Sequence, residues 1–173
     1  AGAACIDKYG TPLPDRTVEL VKEYKTAIKG PVTTPVGTGF RSVNVALRKT
    51  LKLYVNLRPV ISIPGAGGRY EDVDLIIVRE NSEDLYAGIE FEEGSDEALE
   101  LIEFIEESGK GTILKDSGIS IKPISVTAMH NIVEFAFDYA VAQGRKHVTA
   151  VHKANIMKHS DGLFLREARN VAK

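Results

Sequence analysis

Cysteine is almost missing from this sequence: Cys5 stands alone among 173 residues. One thiol excludes an internal disulfide and a cysteine-cluster metal site, and it suits a reducing, cytoplasmic setting. An excess of charge of one sign is missing too. The 22 Lys and Arg nearly balance the 24 Asp and Glu, for a net charge of −2, which argues against a dedicated nucleic-acid binder. No apolar run approaches the roughly 20 residues of a membrane helix. The opening AGAACIDKYG has neither the basic start nor the long apolar core of a secretory signal. With 43% hydrophobic and 27% charged residues, disorder, collagen and low complexity are excluded. An initiator methionine is also missing, and the sequence stops at REARNVAK inside a helical pattern. The chain therefore reads as a piece of something longer, with the composition of one or two small α/β domains.

What is there alternates helix with strand. Val18, Val21 and Tyr24 recur at helical spacing, which predicts a helix over 15–25 capped by Asp15. VTTPVGTGF (32–40) is a loop, and Ser42 is an N-cap for a helix over 43–52. LYVNLRPV (53–60) alternates as a strand, with Val55 and Leu57 on one face and Tyr54, Asn56 and Arg58 on the other. The glycines of 65–68 make a turn, not a phosphate loop, since no helical pattern follows. The apolar run 73–78 predicts a strand buried on both faces of a parallel sheet. Helices follow over 96–108 and 127–143, with short strands in GISIKPISV between them. HVTAVH (147–152) is a further strand, and a last helix begins near Ser160. The fold class expected is α/β with a mostly parallel sheet.

Ligands of open parallel sheets bind beyond the carboxyl ends of the strands. Arg58, Arg79 and Lys153 fall at such ends, with Tyr86 and Asn155 nearby. Ser42 begins a helix on which Asn44 and Arg48 are four apart, hence on one face. Three guanidinium groups and a helix N-terminus suit a ligand with several carboxylates. The plainer alternatives stay open: Arg48 solvated on its helix, and Arg58 or Arg79 paired with acids such as Glu80 or Asp84. A lysine just after an apolar strand sits in a partly dry place, where its pKa falls and proton transfer becomes useful. The four histidines lack metal-site spacing, and the acidic stretch 90–107 is a solvated helix face.

KGPVTTPVGTGFRSVNVALRKTLKLYVNLRPV (29–60), IIVRENSEDLYAGIE (76–90) and VHKANIMKHSDGLF (151–164) resemble the β-decarboxylating dehydrogenases. The bacterial-type isocitrate dehydrogenases are the most similar, and the likeness runs in order across almost all 173 residues. Ser42 and Asn44 match the isocitrate version of their helix, where isopropylmalate enzymes carry apolar residues. The resemblance implies an isocitrate/isopropylmalate dehydrogenase-like fold, partial here, with parallel-rich sheets flanked by helices and a clasp-like segment. It implies oxidative decarboxylation of isocitrate to 2-oxoglutarate with NADP or NAD, aided by Mg2+ or Mn2+. NADP is favoured by the clasp pattern. A relative acting on isopropylmalate, homoisocitrate or tartrate is the rival reading, and so is a non-catalytic regulatory or assembly subunit.

Roles carry over residue by residue. Arg48, Arg58 and Arg79 would hold substrate carboxylates, with Ser42 and Asn44 meeting the extra one. Tyr86 would protonate the enolate carbon, and Lys153 would handle the hydroxyl proton, in this family at the partner subunit's site. Thr34 and Asn155 would lie beside the cofactor. Residues 1–53 would belong to a large domain, 54–84 and 126–173 to a small domain, and 85–125 to a clasp that interlocks a homodimer. The Gly-Asp-Gly-Ile-Gly-Pro signature and the metal-binding aspartates would lie outside this segment, so the 173 residues alone are expected to be inactive. Ala128-Met129-His130-Asn131-Ile132 departs from the Ser/Thr-x-Arg-Ile pattern of much of the family, and no role is carried onto it.

Overall fold

A computed structural model describes residues 1–33 and 42–173. Thr34 lies outside the described residues. The chain divides into two compact units, residues 1–82 and 83–173.

In the first unit, a 3-10 turn (Ala3–Cys5) leads into the single-turn helix α1 (Ile6–Tyr9). Helix α2 (Asp15–Tyr24) follows. Its N-cap is Pro14, and Asp15 is the first helical residue rather than the expected cap. There its charge still complements the positive end of the helix dipole. Helix α3 (Val43–Thr50) buries Val43, which is 1% exposed. Strands β1 (Val55–Ile61) and β2 (Asp74–Glu80) pair along their whole length, from Val55 opposite Glu80 to Ile61 opposite Asp74. Ser62 closes the connecting loop: its amide donates to the Val73 carbonyl (2.8 Å), and its hydroxyl accepts from the Val73 amide (2.9 Å). Gly65 (φ 79°) and Gly67 (φ 70°) supply the left-handed backbone of the turn.

The second unit opens with a 3-10 turn (Asp84–Ala87) and strand β3 (Ile89–Phe91). Helix α4 (Asp96–Glu107), strand β4 (Ile119–Ile121), helix α5 (Val126–Ala142) and helix α6 (Asp161–Val171) complete it. Ser95 and Ser125 cap α4 and α5 by accepting from the Ala98 and Ala128 amides at 3.2 and 3.1 Å. Ala98 and Ile102, one turn apart on α4, are buried, as are Met129, Ile132, Val133 and Ala140 on α5. Burying a side chain the size of Ile102 contributes roughly 1.5–3 kcal/mol. Helix α6 packs against α5. No helix among the described residues is long and apolar enough to cross a membrane.

The α/β class stands, but three expectations do not. Among the described residues the ladders are antiparallel, not parallel: β1 pairs with β2, and β3 with β4 from Ile89 opposite Ile121 to Phe91 opposite Ile119. The glycine-bearing turn lets β1 fold straight back onto β2, whereas parallel pairing needs a long crossover. The run 73–78 is not buried on both faces, since Leu75 and Ile77 are 59% and 49% exposed. HVTAVH forms no ladder among the described residues. A strand is held by a neighbour's backbone groups, and no described segment pairs with this one.

Candidate active site

Helix α3 carries three of the expected site residues. Ser42 occupies its N-cap, and the Ser42 carbonyl accepts from the Ala46 amide at 3.0 Å. Its hydroxyl, however, makes no capping bond, unlike those of Ser95 and Ser125. Asn44 and Arg48 share a face and line a cavity of about 860 Å3. The size is that of a small-molecule site. The segment 25–32, Val43, Leu47 and Leu51 form most of the remaining wall, together with Asn81. The Asn44 Oδ1 is shielded from solvent and has no hydrogen-bond partner among the described residues. An unmet buried amide oxygen is costly, and a half-turn of the amide puts its NH2 there instead.

The hairpin brings the other two arginines together. Arg79 stands opposite Asn56, and Arg58 opposite Ile77. Residues opposite one another in an antiparallel pair share a face, so Arg58 and Arg79 are diagonal neighbours on one side of the hairpin. Arg58 is exposed. The Arg79 Nη2 donates to the Asn81 Oδ1 at 3.0 Å. Asn81 is only 5% exposed and lines the same cavity as Asn44 and Arg48. Asn81 thus ties the Arg79 guanidinium to the wall of that cavity. Of the two acids considered as arginine partners, Asp84 pairs with Lys122, and Glu80 accepts from the Ser82 amide at 2.8 Å and from its hydroxyl.

Tyr86, Lys153 and Asn155 belong to the second unit. Tyr86 lies in the 3-10 turn, 38% exposed. Lys153 begins a turn, its carbonyl accepting from the Ile156 and Met157 amides at 3.0 and 2.9 Å. Lys153 and Asn155 are both exposed. The expected dry strand end is not seen among the described residues, where the segment before Lys153 carries no ladder.

A charged cluster that the sequence did not single out lies close by. The Lys122 ammonium pairs with Asp161 at 3.1 Å and Asp84 at 3.6 Å. Burial alone would lower the Lys122 pKa, but the hydrogen bond to Asp161 and the two carboxylate charges outweigh it and hold it above its ordinary value. Burial alone would raise the Asp161 pKa, but the Lys153 amide, the Lys122 bond and charge, and His152 hold it below the ordinary carboxylate range. The signal for Lys122 was a lone cation in the apolar stretch GISIKPISV; nothing local pointed to Asp161 as its partner.

Comparison with known proteins decides the lineage. A family model described as isocitrate/isopropylmalate dehydrogenase matches residues 1–173. The chain belongs to the isocitrate/isopropylmalate dehydrogenase family. It is 49% identical to an NADP isocitrate dehydrogenase of Archaeoglobus fulgidus, an alignment covering 100% of this chain and 43% of that protein. An NADP isocitrate dehydrogenase of Staphylococcus epidermidis is 47% identical over 95% of this chain and 40% of its own length. Among solved structures, an isocitrate dehydrogenase from Methylococcus capsulatus superposes with a TM-score of 0.84 at 45% identity, covering 99% of this chain and 46% of that one. The TT0538 protein of Thermus thermophilus superposes with a TM-score of 0.77 at 37% identity, over 99% of this chain and 31% of its own. The chain spans about two-fifths of the length of the curated isocitrate/isopropylmalate dehydrogenase relatives it matches.

Proposed function

We propose that this chain supplies the carboxylate-gripping and proton-handling residues of an NADP-dependent isocitrate dehydrogenase. The supporting observation is the cavity of the first unit, where Asn44, Arg48 and the Asn81 that anchors Arg79 meet. Guanidinium groups take carboxylates bidentately. In this reading Arg48, Arg58 and Arg79 hold the carboxylates of isocitrate, and Ser42 and Asn44 meet the third one. The Ser42 hydroxyl, which makes no capping bond, and the Asn44 Oδ1, without a partner among the described residues, favour such a polar group. An alkyl group there would leave both unpaired.

The reaction has two stages. The hydroxyl proton passes to Lys153 while the C2 hydrogen leaves as hydride, giving a β-keto acid. Loss of CO2 then leaves an enolate, which Tyr86 protonates at carbon to give 2-oxoglutarate. Asn155 would lie beside a bound nicotinamide, which would supply the hydride acceptor, and a Mg2+ or Mn2+ ion would supply stabilisation of the oxygen charge. Among the described residues no group of three His, Cys, Asp or Glu side chains could hold a metal. NADP, rather than NAD, follows the names of the relatives. A cytoplasmic homodimer joined through residues 85–125 completes the proposal; Ile89 and Ile121 are exposed across the small β3–β4 ladder.

A substrate panel tests the reading. The intact protein is expected to reduce NADP+ with isocitrate and not with isopropylmalate, homoisocitrate or tartrate. Activity on isopropylmalate alone overturns the substrate assignment. No activity on any of the four favours the regulatory or assembly role, against which the presence of both Tyr86 and Lys153 speaks.

A further inference from the structure

Among the described residues, the polar contacts of the Lys122 side chain go to Asp84, Met157 and Asp161, which lie beside or are bonded to the segments of Tyr86 and Lys153. Asp84, at 3.6 Å, is the first residue of the Tyr86 turn. Asp161, at 3.1 Å from the same ammonium, accepts from the Lys153 amide through its other oxygen at 2.6 Å. Met157, whose Sδ lies 3.7 Å from the Lys122 Nζ, donates its amide to the Lys153 carbonyl at 2.9 Å. Both sides of the Lys153 residue are thus gripped by groups that Lys122 touches.

The Tyr86 turn is held from the same place. The Asp84 amide donates to the Pro123 carbonyl at 3.1 Å, and the Ser125 amide donates to the Glu83 carboxylate at 2.7 Å. Asp84 itself has a left-handed backbone, φ 60°. Its Oδ1 accepts from the Leu85 amide at 2.7 Å, so its other oxygen faces Lys122. The segment 122–125 therefore fastens one turn by its backbone and reaches the other by one side chain.

We propose that Lys122 is a positioning residue, fixing the Tyr86 turn and the Lys153 turn in one geometry through Asp84 and Asp161. The catalytic consequence rests on the isocitrate dehydrogenase reading above; the geometric one does not. Without the ammonium, Asp84 and Asp161 lose their shared partner and repel, and both turns drift. Misplacing a catalytic group by about 1 Å costs on the order of 100-fold in rate.

Lys122→Met and Lys122→Arg in the intact protein test it. In Lys122→Met, kcat is expected to fall at least about tenfold while KM for isocitrate changes less than about threefold, since the carboxylate grip lies elsewhere. Lys122→Arg is expected to restore most of kcat. In the same variants, hydrogen exchange at the Lys153 and Asp84 amides is expected to quicken with Met by about tenfold and to return with Arg. Unchanged exchange at both amides overturns the proposal, as does a folded Lys122→Met protein with full kcat. So does a kcat loss matched by an equal loss of folded protein that Arg does not restore. If Lys122→Met does not fold, Asp84→Asn carries its readings. If the unsubstituted protein turns over no isocitrate, the functional reading fails, and the two amides still decide the role of Lys122.

Discussion

Asp161 accepts from a lysine ammonium with one oxygen and from a backbone amide with the other, and this fixes how it responds to pH. Its folded pKa lies below its ordinary 3.8. The stability it contributes is therefore present above that value and is lost as pH falls through the folded pKa. Lys122 is the mirror case. Its folded pKa lies above 10.5, so its contribution is present below that value and is lost as pH rises through the folded pKa. Thermal melts from about pH 2.5 to 7 are expected to show a Tm gap between wild type and Asp161→Asn that is full near neutrality and closes in acid. A gap that widens in acid would contradict the assignment. Lys153→Met is expected to cut kcat by at least about 100-fold, with Tm nearly unchanged because the Lys153 side chain is exposed. At this scale the sequence showed which residue types carry chemistry. It could not show that Lys122 and Asp161, 39 positions apart, meet, because nothing in a local pattern encodes a long-range ion pair.

Four of the described helices have a serine at the N-cap, Ser42, Ser95, Ser125 and Ser160, and two of these hydroxyls cap. Ser95 and Ser125 each accept an amide hydrogen bond at the start of α4 and α5. Replacing either by Ala is expected to cost about 1 kcal/mol in denaturant unfolding. Ser42 holds the same position on α3 without making that bond, so Ser42→Ala is expected to cost less than about 0.5 kcal/mol while raising KM for isocitrate. A large loss of stability would mean that the hydroxyl serves the helix after all. Ile102→Ala, at a side chain only 1% exposed, is expected to cost about 2–5 kcal/mol. Helices were legible because their signals are local: Val18, Val21 and Tyr24 at helical spacing, or Ser95 and Ser125 just before apolar runs. Strands were less so. The β-branched run of 73–78 marks a strand but not its neighbour, and HVTAVH, for all its strand-like composition, pairs with no described segment.

For the whole chain, sedimentation equilibrium is expected to return about twice the 18.9 kDa of one copy, and deletion of β4 is expected to return a single copy. A monomer with β4 intact would refute the clasp reading. Family and class were legible from ordered motifs spanning nearly all 173 residues, and the structure divides near residue 82. That division parts the expected residues cleanly: Ser42, Asn44, Arg48, Arg58 and Arg79 fall before it, Tyr86, Lys153 and Asn155 after it. In the proposed reading, recognition and proton chemistry are therefore separately heritable. A lineage can rewrite α3 and the hairpin to take a new 2-hydroxy acid while leaving its acid and base untouched, and a breeder of new specificities would confine mutagenesis to the first 82 codons.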